Sequence, residues 1–256
     1  EASFTPTIFL QSFAKQAISS LKETLSTQIS GILYPMAIFE ALSAYSFKYL
    51  DDNRYNYKNT IMDNVQYPRK TFELRTGDCD DYTVLYASCL SSIGKKVILI
   101  TVPEHIFLAF DTGVAIKNAD LVSFDKNSYL VRDGRVWIPM ELTMLKNKGS
   151  FFDAWKEGMR KYQDWKDGGE LEIIDLEEAK KLYPSAPLPQ TNIPIEKPSE
   201  QEINLRIAED IEKLEAYKQK VMEDVIKQYQ TNLESNPHDP VTLNQLGIVY
   251  AKAGLL

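Results

Sequence analysis

Apolar residues recur at helical spacing over several long stretches of this chain, and the period changes between them. Residues 13–25 and 36–50 show apolar side chains three and four apart, the second run carrying Phe39, Leu42, Tyr45, Phe47, Tyr49 and Leu50. Asp51-Asp52-Asn53 breaks that pattern, and an irregular connection from Tyr55 runs to Pro68. The sharpest helix signal follows. Asp78 is a good N-cap, Asp81 completes a capping-box-like pair, and Tyr82, Leu85, Tyr86, Cys89, Leu90 and Ile93 form an apolar stripe that Gly94 ends. Beyond Gly94 the period becomes that of strands. Residues 97–102 and 105–111 read as two strands parted at Pro103, with a turn at Thr112-Gly113; residues 129–131 and 136–138 flank Asp133-Gly134, a hairpin signal. Helical spacing returns over 151–165. A helix followed by several mainly antiparallel strands is an α+β order, not a series of βαβ units.

The chain then changes character. Five of the twelve prolines fall between Pro184 and Pro198, which predicts a stiff, extended linker over 184–199. Residues 200–233 read as one long charged helix with a sparse apolar stripe (Ile203, Ile207, Ile211, Leu214, Val221, Val225), a solvated spacer or partner-binding surface that Asn236-Pro237 stops. The last segment, with Pro237-His238-Asp239-Pro240, Leu243, Leu246-Gly247, Tyr250 and Ala253-Gly254, resembles the first helix of a tetratricopeptide repeat. The expected organisation is a domain over 1–183, the linker, and a long helix with a truncated helical repeat over 200–256. The start at Glu1-Ala2-Ser3 and an end inside a helical pattern suggest a piece of a longer protein.

Composition narrows the functions. Of 256 residues, 44% are hydrophobic and 25% charged, with a formal net charge of -7 and no dense basic stripe, which argues against nucleic acid as a partner. No apolar run approaches the ~20 residues of a membrane helix, so no transmembrane segment is expected in this chain. The compartment stays open, with a periplasmic or membrane-anchored extracytoplasmic setting as the working expectation. The two cysteines, Cys79 and Cys89, fall in one predicted helix about 15 Å apart, too far for a disulfide and without a zinc spacing.

Cys79 follows the N-cap directly, where unpaired N–H groups and the positive helix end favour a thiolate and offer part of an oxyanion hole. Cys89 lies on the apolar stripe and reads as core. A nucleophilic Cys needs a base. His238 sits in turn chemistry beyond the linker, leaving His105 at the start of a strand. A His needs an orienting acceptor in turn, and Glu141, flanked by apolar Met140 and Leu142 at a strand end, is the acid placed to supply one. The bland readings are a small buried residue at a helix start for Cys79 and a satisfied strand histidine for His105.

The segments Gly77-Asp78-Cys79-Asp80-Asp81-Tyr82, Ser92-Ile93-Gly94-Lys95, Pro103-Glu104-His105-Ile106-Phe107-Leu108 and Trp137-Ile138-Pro139-Met140-Glu141-Leu142-Thr143 together resemble the core of bacterial transglutaminase-like proteins over about residues 36–145. The resemblance implies a papain-like fold: N-terminal helices and a central Cys-bearing helix packed on a mainly antiparallel sheet. It also implies a Cys79–His105–Glu141 triad, with Glu141 where the family usually has Asp; the extra methylene shifts the geometry. The implied activity is cysteine protease or amidase chemistry on a protein or peptide, through a thioester on Cys79, with hydrolysis favoured over crosslinking. The alternative is a catalytically weak or inactive domain that works with its repeats as a protein-binding scaffold. Gln66 and Tyr67 are candidates for oxyanion or substrate contacts, weighed against plain loop polarity. Asp78, Asp80 and Asp81 read as capping and first-turn charges that oppose the thiolate, with a calcium site as the alternative; no other cofactor is expected.

Overall fold

The computed structural model describes residues 8–19, 30–50, 65–183 and 199–255. All but the last residue of the expected linker, the predicted first helix beyond residue 19, and most of the connection before Pro68 lie outside the described residues. Four helices, α1 (Ile8–Ser19), α2 (Ser30–Ser43), α3 (Pro68–Leu74) and α4 (Cys79–Ser92), lie on one side of a five-stranded sheet. Its strands are β3 (Val97–Val102), β4 (His105–Ala115), β5 (Leu130–Arg132), β6 (Arg135–Met140) and β7 (Glu172–Asp175), in the order β5-β6-β4-β3-β7, every pair antiparallel. Two short strands, β1 (Lys48–Tyr49) and β2 (Thr76–Gly77), pair in parallel just ahead of α4. Helices α5 (Phe151–Trp165), α6 (Leu176–Leu182), α7 (Glu200–Ser235) and α8 (Pro240–Lys252) complete the chain. The class is α+β.

Both sheet faces are covered, which is why β3 and the first half of β4 read as continuous apolar runs rather than alternating ones. Val97, Leu99, Leu108, Phe110, Ile138 and Met140 join the main core with α2 and α4. Ile98, Ile100, Phe107, Ala109 and Trp137 point the other way, onto Met159, Tyr162 and Trp165 of α5. Helix α4 is buried without a break from Asp80 to Leu90, the mark of a central helix. Its Tyr82 and Tyr86 meet Phe47 and Phe39 edge-on, and the Tyr86 hydroxyl donates to the Pro35 carbonyl at 2.9 Å.

Three expectations change. The predicted helix over 36–50 ends at Ser43, and Ser46 turns the chain with φ 56°. Tyr45 and Phe47 are buried while Ser46 and Lys48 are exposed, a period of two that a short apolar run hides among helical spacings. The turn at Thr112-Gly113 is an irregularity inside β4, which resumes pairing at Ala115 opposite Arg135; the Thr112 hydroxyl donates to Val136 O at 2.7 Å and steadies it. Helix α7 is not a solvated spacer throughout. Ile203, Ile207 and Leu214 of its first half are buried in the main core, and only its second half lacks buried residues. On α8 only Val249 is buried, and Leu243, a core position in the repeat resemblance, is exposed. Among the described residues no helix is long and apolar enough to cross a membrane.

Candidate active site

The site starts at a glycine. A Cβ on Gly77 would lie 2.7 Å from the Asp81 side chain, so only glycine lets that carboxylate fold back over the helix start. Asp81 then accepts the N–H of Asp78 at 3.4 Å, the N–H of Gln66 at 2.7 Å and the Gln66 side-chain amide at 2.5 Å. These contacts fix the first turn of α4 and with it Cys79, its first residue. The backbone N–H of Ile106 lies near enough to the Cys79 sulfur to favour its thiolate, and one turn later the Thr83 hydroxyl donates to the Ile106 carbonyl at 3.3 Å. The helix start is thereby tied to the backbone on both sides of Ile106, including the peptide that joins it to His105. The β3–β4 hairpin sets that peptide, because Val102 pairs with His105 across the Pro103-Glu104 turn, where Glu104 has φ 59°.

His105 Nε2 lies 2.7 Å from Glu141 Oε2. The registers explain the meeting: Leu108 on β4 faces Met140 on β6, so the start of one strand lies beside the end of the other. Glu141 is buried and fully engaged. Its Oε1 accepts the backbone N–H of Thr143 at 2.9 Å and the Thr143 hydroxyl at 2.7 Å, while Oε2 also meets Lys161 Nζ at 3.1 Å. Lys161 comes from α5, which lies close on β6 because residue 158 is glycine; a Cβ there would stand 2.7 Å from Met140 N. Burial by itself would raise the Glu141 carboxyl, but the hydrogen bond and charge of His105, with Thr143 and Lys161, hold it down at about 2. Glu141 is therefore an anion at any neutral pH, and with Nε2 facing it, Nδ1 is the His105 nitrogen left for a second partner.

Cys79 is the less comfortable member. Burial pushes its thiol up to about 11; the Ile106 N–H works against this, and the carboxylates of Asp78, Asp80 and Glu141 add to the rise. The favour expected from the helix start is outweighed. Cys89, fully buried on the apolar side of α4, is pushed higher still by burial, and both cysteines are free. Asp80→Asn is accordingly expected to move the pH profile of Cys79 alkylation by iodoacetamide towards lower pH. A displacement of about half a pH unit would raise the thiolate fraction at neutral pH about threefold. A profile that stays put would mean that Asp80 is screened from the sulfur.

The other sequence candidates are placed as follows. Both hydrogens of the Gln66 amide are aimed at acceptors, Asp81 Oδ2 and, at 3.4 Å, Thr76 O, so an oxyanion role would break one of these contacts. Tyr67 is exposed at the start of α3. His238 lies exposed in the turn between α7 and α8. Asp78, Asp80 and Asp81 bring carboxylate oxygens within 4.8 Å of one another. Asp81 already takes three N–H donors and the Asp78 side chain accepts the Asp81 backbone N–H, so this cluster falls well short of the six to eight oxygens calcium takes. The residues do not fit that ion without further ligands. Trp137 and Trp155 are buried core residues. Lys161 has no local sequence signal, since it lies twenty positions beyond Glu141 and arrives by helix packing.

Comparison with known proteins yields no matching family model and no matching curated protein.

Proposed function

We propose that Cys79, His105 and Glu141 form the catalytic group of a transglutaminase-like cysteine protease or amidase with a papain-like core. The observation that carries this reading is the pairing of His105 Nε2 with a buried, ionised Glu141, on a strand whose next residue, Ile106, accepts the Thr83 hydroxyl from the helix that begins at Cys79. A buried glutamate held by three donors besides the imidazole it faces orients that ring and steadies it once charged. In the first step His105 takes the Cys79 proton as the sulfur attacks the amide carbon of a peptide substrate. The tetrahedral intermediate collapses to a thioester as the His105 proton passes to the departing amine. Water, activated by the same imidazole, then attacks the thioester and releases the acid and the thiol. Because burial and three carboxylates oppose a resting thiolate, attack and proton transfer are coupled here rather than sequential.

One observation favours a second reading, a binding scaffold with little turnover: a thiol pushed up to about 11 is a poor resting nucleophile. Labelling separates the two. A thiol-directed peptidyl electrophile is expected to modify the wild type at Cys79, to modify Cys89→Ala equally, and to leave Cys79→Ala and His105→Ala unmodified on the same time scale. Labelling that follows Cys89, or that is indifferent to His105, would overturn the enzyme reading.

A further inference from the structure

Next to Glu141 an open groove of about 680 Å3 runs between α5 and the short 3-10 helix Leu142–Leu145, and four cations stand in its wall. Lys146, Lys156, Arg160 and Lys161 line it, with Asp153 and Glu157 as the acids besides Glu141. Each acid already has a counter-charge. Glu141 meets His105 and Lys161; Glu157 meets Arg160 at 2.6 Å; Asp153 meets Lys213, which reaches in from α7, at 3.6 Å. Arg160 is in turn held by Glu157 and Asp164. Two cations remain. Lys146 Nζ lies 5.0 Å from the centre of the Tyr49 ring and Lys156 Nζ 5.6 Å from that of Phe152, and among the described residues neither has a carboxylate partner. An ammonium resting on an aromatic face keeps hydrogens free for an acceptor, and its stem is braced by the ring. On a chain whose formal charge is -7, a wall with four cations against three acids runs against the overall balance.

We propose that this groove binds a carboxylate-bearing segment of the peptide substrate, with Lys146 and Lys156 as the residues that select acidic side chains beside the site. The substrate role rests on the enzyme reading above; the binding of acidic peptide does not. Two exposed ammonium groups acting on a flexible peptide give a modest, salt-sensitive preference, on the order of tenfold at low ionic strength.

The test uses Cys79→Ala protein, which cannot acylate, and fluorescein-labelled pentaglutamate, pentaglutamine and pentalysine read by anisotropy. Pentaglutamate should bind about tenfold tighter than pentaglutamine and weaken in 0.5 M salt. Adding Lys146→Ala and Lys156→Ala should abolish that preference, and Lys146→Glu with Lys156→Glu should transfer it to pentalysine. Lys180→Ala with Lys181→Ala, on the exposed face of α6, should leave it intact. Equal binding of pentaglutamate and pentaglutamine, or equal losses from both lysine pairs, would overturn the proposal. Electrophile labelling of the otherwise wild-type chain keeps the two readings apart. Labelled Cys79 without acidic-peptide preference removes the groove and spares the enzyme. Preference without labelling removes the enzyme and leaves an acidic-peptide binding site.

Discussion

Glu141→Gln is expected to lower the rate of Cys79 acylation by an activated ester such as p-nitrophenyl acetate by roughly 10³–10⁴-fold, while the chain stays folded. The two Thr143 donors both converge on Oε1 and would keep the amide oxygen there, leaving the NH2 to face His105 Nε2. Nε2 would then have to accept, the ring hydrogen would move to Nδ1, and the nitrogen that should take the thiol proton would already carry one. Lys161 would lose its carboxylate and swing towards the groove. Glu141→Asp should fall between wild type and amide, because the shorter carboxylate cannot span Thr143 and His105 together. A loss below tenfold for Glu141→Gln would show that Glu141 is only a cap for the 3-10 helix. The substitution has a second signature at low pH. With its carboxyl held at about 2 against an ordinary 4.5, Glu141 stabilises the fold fully above about 4.5 and loses that contribution as the pH falls through 2. The amide variant should lack this acid limb.

The opposite limb belongs to Glu40. Burial, joined by the carboxylate of Asp210, pushes Glu40 up to about 8, and Arg206, whose Nε lies 2.8 Å from Oε2, only partly offsets this. Its Oε1 accepts the Phe151 N–H at 2.7 Å, and buried Asp210 accepts the Phe152 N–H at 3.0 Å, so the two acids hold the first turn of α5 between α2 and α7. A carboxyl raised in the folded state stabilises it most below the ordinary value of 4.5, and that advantage is lost as the pH rises through about 8. Stability in urea should therefore fall by a few kcal/mol between pH 4.5 and 8, since every tenfold change in an acidity constant corresponds to about 1.4 kcal/mol. Glu40→Gln should be nearly flat across that window. Arg206 also donates to Ser43 Oγ at 2.7 Å and Gly149 O at 2.9 Å, so Arg206→Met should deepen the fall. A wild type whose stability rises from pH 4.5 to 8 would refute the assignment.

Local pattern carries far in this chain. The central helix with its Asp78–Asp81 start, the β3–β4 hairpin, the Asp133-Gly134 hairpin and α5 all follow from period and punctuation. So does the expectation that an acid between Met140 and Leu142 seeks a partner, and His105 stands 2.7 Å from it. Failures cluster where the signal is short or the partner remote. Residues 45–49 fit two periods at once. Strand β7, Glu172–Asp175, is a half-exposed edge with no alternation to read, and it exists because β3 offers it a ladder. The first half of α7 has the sparse apolar stripe of a spacer, yet Arg206 and Asp210 complete a buried charge cluster with Glu40, more than 160 positions away in sequence.

The α+β class, the helix that begins at Cys79 and the strand that begins at His105 are legible in the order of residues alone, because caps, turns and apolar period act between positions a few places apart. The electrostatics are a product of packing. Whether a thiol at a helix start is lowered or raised depends on how deeply it is buried and which carboxylates close around it. Whether Glu141 is anion or acid depends on His105, Thr143 and a lysine delivered by a helix resting on Gly158. Desolvation and charge act through space, and no spacing along the chain encodes them.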